Sequence, residues 1–376
     1  MDTPERSTAG VYQGASGRTY HDFEVGTTIR HKPGRTITET DNIWFTLLTM
    51  NTHPLHFDNE YAATSQFGKP LVNSCLTLSM VTGISVADIS QGAIANLGWD
   101  DVRLKAPVYV GDTIYAETDV LDKRLSKSKD GQGIVHVRTR GFNQAGEEAL
   151  SYVRWVMVNK RDADNAAPAA VVPDLAKAVS ADDLALPAGV SLAGYDFEAA
   201  GSHARFDDYQ VGQKIDHVDG VTVEEAEHQL ATRLYQNTAK VHFDGFAAQA
   251  GRFGKRLIYG GHVISIARAM SFNGLENAFA LAAINGGTHK APLFAGDTVY
   301  AWTEVLDKAE VGDQGANPGA LRLRTEQCCL GDPDLTQAVS FDSVTHWPFL
   351  RKNSWYPKLQ HSLLSRSIFT VEVVIR

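Results

Sequence analysis

His56–Leu71, HFDNEYAATSQFGKPL, and His242–Leu257, HFDGFAAQAGRFGKRL, are two copies of one pattern. The offset that carries His56 onto His242 also carries Val25-Gly26 onto Val211-Gly212 and Phe67-Gly68-Lys69 onto Phe253-Gly254-Lys255. At an offset one residue shorter, Lys105-Ala106-Pro107 falls on Lys290-Ala291-Pro292 and Gly111-Asp112-Thr113 on Gly296-Asp297-Thr298. Val120-Leu121-Asp122-Lys123 likewise falls on Val305-Leu306-Asp307-Lys308. A register held over so many motifs marks a tandem duplication, and each half is one folding unit of the same type.

Working outward, residues 1–19 read as a polar arm, 20–160 as the first unit and 204–350 as the second. The stretch 161–203 is rich in Ala, Pro, Gly and Asp and reads as a linker that crosses one domain's surface. The basic tail, 351–376, matches nothing in the first half and reads as an appendage without an assigned role. Within the first unit, SCLTLSMVTGISVADIS from Ser74 is apolar nearly all round, as a buried helix would be; GGHVISIARAMSF from Gly260 is its counterpart. Alternating stretches follow: Thr113–Leu121, Ile134–Phe142 and a run from Ala149 in the first unit, then runs from Thr298 and Ala320 in the second. Period-two alternation predicts antiparallel strands with one covered face. The expected fold class is α+β: two antiparallel sheets, each wrapped around one long central helix.

At 376 residues the chain can bury two substantial cores. Its 43% hydrophobic and 21% charged content is that of an ordinary globular protein. A net charge of −9 argues against nucleic acid as the main partner. No run approaches the roughly 18 apolar residues of a membrane helix. Cys75, Cys328 and Cys329 make no disulfide framework and the N-terminus has no secretory pattern, so a cytoplasmic setting is expected.

The densest polar constellation, Asn51–Ser74, lies directly upstream of the first buried helix. Asn51 and His56 stand on either side of Pro54, which discourages a regular helix and predicts a shaped loop. Asn237 and His242 repeat the spacing, and the second helix is entered through Gly260-Gly261. A helix start offers free N–H groups and a positive dipole end, and glycine there permits close approach of a ligand oxygen. A neutral histidine nearby can activate water opposite such an oxyanion site.

MNTHPLHFDNEYAATSQFGKPLVNS resembles the signature of the MaoC-like, R-specific enoyl-CoA hydratases, and the second half carries a diverged copy. The resemblance covers nearly everything from residue 20 to 350 except the linker. It implies a double hot-dog fold and an acyl-CoA substrate. VDGVTVEEAEHQLATRLYQNTAKVHFD, YGGHVIS and AINGG are most similar to the duplicated subfamily that interconverts mesaconyl-C1-CoA and β-methylmalyl-CoA. It further implies no metal and no redox cofactor, a helix start that polarises the thioester carbonyl, and a loop pair that handles water. The two units are expected to pair within the chain as the subunits of a dimer would, with oligomers of that pair open.

Asn51 and Asn237 stand where simple family members carry Asp, so the proton must go to His56, His242 or a carboxylate from elsewhere, with Asp41, Glu224 and Glu225 as candidates. Ser74 stands where the pattern has Gly, whereas Gly260 keeps it; the Pro-Leu before His56 favours the first copy instead. Arg233, Arg252, Arg256 and Arg268 stand opposite Leu47, Gln66, Pro70 and Thr82. Such one-sided cations suit a substrate carboxylate or CoA phosphates. The expected site is therefore Asn51, His56, Asn237, His242 and Gly260 for chemistry, with Ser74, Gly261, Arg233, Arg252 and Arg256 for binding. Alternatives are a hydratase for another enoyl-CoA, an acyl-CoA thioesterase, and a non-catalytic acyl-CoA-binding module.

Overall fold

The computed structural model describes residues 17–127, 129–161, 174–184, 195–311, 319–330 and 364–375. Two short strands, β1 (Thr28–Arg30) and β2 (Arg35–Thr36), open the first unit, followed by α1 (Glu39–Thr49), α2 (Asn59–Thr64) and α3 (Ser74–Ile89). Four long strands complete it: β3 (Ala95–Leu104), β4 (Thr113–Leu125), β5 (Gln132–Phe142) and β6 (Glu148–Asn159). The short helix α4 (Phe197–Ala200) precedes the second unit. That unit repeats the order as β7 (Lys214–Thr222), α5 (Glu225–Leu234), α6 (Lys240–Phe243), α7 (Gly245–Gln249), α8 (Gly260–Met270), β8 (Ala280–His289), β9 (Thr298–Glu310) and β10 (Gly319–Leu330).

All strands but β2, which pairs with β4 to one side, lie along one antiparallel path, β1-β4-β5-β6-β3-β8-β11-β10-β9-β7, where β11 is Leu364–Ile375. The order reads the same from either end under exchange of the copies, and β3 pairs with β8 at its centre, Trp99 opposite Gly287 and Val102 opposite Ile284. The intrachain pseudo-dimer is thus one continuous sheet. β11 corrects the reading of the tail as an appendage. It fills the place between β8 and β10 that β6 fills between β3 and β5, and without it the second sheet would be broken.

α3 is buried from Cys75 to Val86 on every side. The sheet curls over it with the face Ile114, Ala116, Thr118 and Val120, all nearly inaccessible. Each large apolar side chain so covered contributes roughly 1.5–3 kcal/mol. α3 also packs on α8 across the duplication, and Gly83 lets the backbone of Tyr235 come so close that a Cβ would sit 1.6 Å from its carbonyl oxygen. Arg161 at the start of the linker pairs with Asp22 of the first unit, and later linker residues meet the second. Val179 N–H donates to Asn285 Oδ1 at 2.9 Å, and Tyr195 packs on Phe279.

Candidate functional site

Each copy builds its polar loop by the same local steps. α1 ends on Met50 and α5 is followed by Gln236, both in the left-handed region at φ 55° and 56°. That conformation ends a helix and reverses the chain, and the next amide closes the turn. Asn51 N–H donates to the Thr46 carbonyl at 3.0 Å, and Asn237 N–H to Thr232 at 2.8 Å. The turn buries both asparagines. Asn51 Oδ1 accepts from His53 N–H at 3.3 Å, and Asn237 Oδ1 from Ala239 N–H at 3.1 Å. Since the oxygen is engaged by the backbone, each asparagine's remaining reach is the donor end, Nδ2.

A single turn of helix then carries the histidine. Nδ1 of His56 lies 3.1 Å from the Leu71 carbonyl, and Nδ1 of His242 lies 2.8 Å from the Leu257 carbonyl. A carbonyl only accepts, so Nδ1 bears the proton and Nε2 keeps its lone pair. Burial lowers both imidazoles to about 4, which leaves them neutral bases at pH 7.

The copies differ at the helix start. In the first, Asn73 caps α3 and its Oδ1 takes the Cys75 N–H at 2.9 Å, using one of the donors beside Ser74. In the second, Tyr259 makes no side-chain cap. His262 and Val263 donate to the Tyr259 carbonyl, so the N–H groups of Gly260 and Gly261 are the uncommitted donors of the first turn. The glycines also answer to packing. A Cβ on Gly260 would lie 2.5 Å from His289 Nε2, and one on Gly261 2.4 Å from the Tyr259 ring.

Each loop faces a cleft shared between units. His56, Asn51, Ser74 and Cys75 of the first copy meet Arg268 and β8 of the second around about 810 Å³. His242, Asn237 and Gly260 of the second copy meet Thr82, Trp99 and Arg154 of the first around about 860 Å³. No carboxylate lines either cleft among the described residues. Asp41 caps α1 and pairs with Arg35, Glu225 pairs with Arg256 at 2.6 Å, and Glu224 is exposed. None of these replaces the family's Asp.

Of the arginines singled out by comparing the copies, only Arg268 lines a cleft, and it is the first copy's. Arg233 and Arg252 are exposed, over the rings of Phe243 and Phe253. Arg256 ties α5 to its loop through Glu225 and Gln229. Sequence reasoning passed over a buried histidine group around the second cleft. His228 Nε2 accepts the Tyr259 N–H at 2.9 Å, His262 meets Tyr235, and His289 lines the wall. Burial lowers His228 to about 2, and His262 and His289 to about 4. They stand opposite Asn42, Leu76 and Leu104, so the comparison of copies that exposed the arginines held this signal too. No cluster of three or more His, Cys, Asp or Glu among the described residues could hold a metal ion.

The family model of mesaconyl-CoA hydratase matches residues 10–327. The chain is 52% identical over 309 residues to a mesaconyl-CoA hydratase of Cereibacter sphaeroides, covering 82% of this chain and 88% of that protein. It is 49% identical over 310 residues to a beta-methylmalyl-CoA dehydratase of Chloroflexus aurantiacus, covering 82% and 87%. A crystal structure of a MaoC domain protein dehydratase from Chloroflexus aurantiacus superposes with a TM-score of 0.83 at 43% identity, over 97% of this chain and 99% of that one. A double hotdog protein of Mycobacterium tuberculosis shares the fold at a TM-score of 0.72 and 22% identity, over 96% and 99%. The chain belongs to the mesaconyl-CoA hydratase family, and is a MaoC-type double hot-dog hydro-lyase that adds water to, or removes it from, a CoA thioester.

Proposed function

We propose that the reaction is the interconversion of mesaconyl-C1-CoA and β-methylmalyl-CoA, and that it takes place in the second cleft. The observation that carries the placement is the uncapped start of α8 beside a neutral His242 whose Nε2 is left to act as a base. The names and identities of the relatives support the acyl group.

In the hydration direction the thioester oxygen accepts from the N–H groups of Gly260 and Gly261, which draws electron density from the double bond. Asn237 Nδ2 donates to the water oxygen and fixes its position. His242 Nε2 takes one water proton as the oxygen bonds to C3, and the π electrons move to C2 and the thioester oxygen. The imidazolium then returns that proton to C2. Atoms and charge balance with one base, and no metal or redox cofactor is needed. The buried free thiol of Cys75 fits a reducing cytoplasm. An assembly of several such chains is compatible with the reading but not required by it, since each cleft is completed within one chain.

The test follows the enoyl-thioester absorbance when the protein meets mesaconyl-C1-CoA, with crotonyl-CoA and a thiol reagent in parallel. Loss of the band without thiol release is expected. Thiol release would indicate a thioesterase, and binding without change on either substrate would indicate a binding module.

A further inference from the structure

One wall of the second cleft carries two neighbouring buried donor groups, each with an N–H left without an acceptor. Arg154 on β6 and Trp99 on β3 are each 2% exposed and both line the cleft. They are direct partners in the antiparallel register, so their side chains stand on the same face, roughly 4.5–5.5 Å apart at Cβ. Arg154 Nη2 donates to Ser85 Oγ at 2.8 Å, but its Nε has no acceptor, and neither has the indole N–H of Trp99. No carboxylate pairs with Arg154 among the described residues. A buried, unpaired guanidinium is costly unless an anion joins it. Two neighbouring donors, one of them charged, suit one small planar anion with two acceptor oxygens.

We propose that Arg154 and Trp99 form the subsite for the free carboxylate of a dicarboxylic acyl-CoA, and so select such thioesters over monocarboxylic ones. The inference rests on the reading that the second cleft holds the acyl group. In that pose the thioester sits at Gly260 and the carboxylate at Arg154, with His242 on the wall between units. The pair exists on one side of the duplication only: the same register position between β8 and β11 holds Ile284 opposite Val371. The guanidinium of that cleft, Arg268, is instead held by Ser271 Oγ at 2.9 Å and the Ala278 carbonyl at 3.2 Å.

The test uses two unreactive four-carbon thioesters, succinyl-CoA and butyryl-CoA, titrated calorimetrically into the full chain. Wild type should bind succinyl-CoA about 10- to 100-fold more tightly. Arg154→Met should abolish that preference while holding butyryl-CoA affinity within about threefold. Arg154→Lys, which keeps the charge and loses the fork, should retain part of it and carries the test should Arg154→Met not fold. Arg268→Met should leave the preference intact. The proposal is overturned if wild type shows no preference, if the preference survives in Arg154→Met, or if it is lost in Arg268→Met instead. Failure to hydrate mesaconyl-C1-CoA, with the preference still following Arg154, would sink the proposed reaction and leave this subsite standing.

Discussion

His242 illustrates how burial and one hydrogen bond set a role. The Leu257 carbonyl fixes the tautomer, and burial lowers the imidazole to about 4. The acid limb of kcat/KM, which reports the free enzyme, should therefore be flat from pH 8 to about 5.5. A limb centred near the ordinary value of about 6.5 would mean a solvated histidine. Gly260→Ala tests the helix start. Its new methyl meets His289 and shifts one of the two, which should cost about 10- to 100-fold in kcat with the fold retained by circular dichroism. An unchanged kcat would remove the helix start from the chemistry. The Asn/His spacing was legible in the sequence because both residues recur in both copies. The capping difference was not, because it depends on which side chain turns back onto the helix.

Elements with a clean period were readable from sequence, and those without one were not. α3, α8, β4, β5, β6, β9 and β10 all lie where the patterns put them. β3 and β8 were missed although they join the two units. β3 is interrupted by irregularities between Asn96 and Gly98 and between Asp100 and Arg103, and β8 carries Asn285-Gly286-Gly287 inside it. These interruptions leave neither strand with an unbroken period-two pattern. β11 was missed for another reason: its partner β10 ends at Leu330, far upstream, whereas β6 follows β5 after a tight turn. The close approach at Gly83 belongs to this scale. Gly83→Ala should destabilise the fold by about 3 kcal/mol in urea denaturation, because its methyl has only the Tyr235 carbonyl to displace. An unchanged midpoint would contradict the contact between α3 and the end of α5.

The molecule as a whole is a dimer written into one chain, and duplication has allowed its two clefts to diverge. The second unit gathered histidines that the first lacks, and this shapes the response to acid. His228 and His262 are 2% and 1% exposed, and burial holds them at about 2 and about 4. Between those values and about 6.5 the unfolded chain binds protons that the folded chain refuses. Stability is therefore full above about pH 6.5 and falls as the pH drops toward 4, by about 2 kcal/mol per histidine at pH 5. Urea midpoints at pH 7.5 and pH 5.0 should show the loss, and equal midpoints would mean that these imidazoles are not held neutral.

The two clefts also make the central claim separable. The most direct measurement is turnover of mesaconyl-C1-CoA by His242→Ala and by His56→Ala, each compared with wild type. The second cleft as reaction site predicts that His242→Ala loses at least about 100-fold in kcat, while His56→Ala stays within a few-fold. Loss in His56→Ala with His242→Ala still active would place the water in the first cleft and contradict the account.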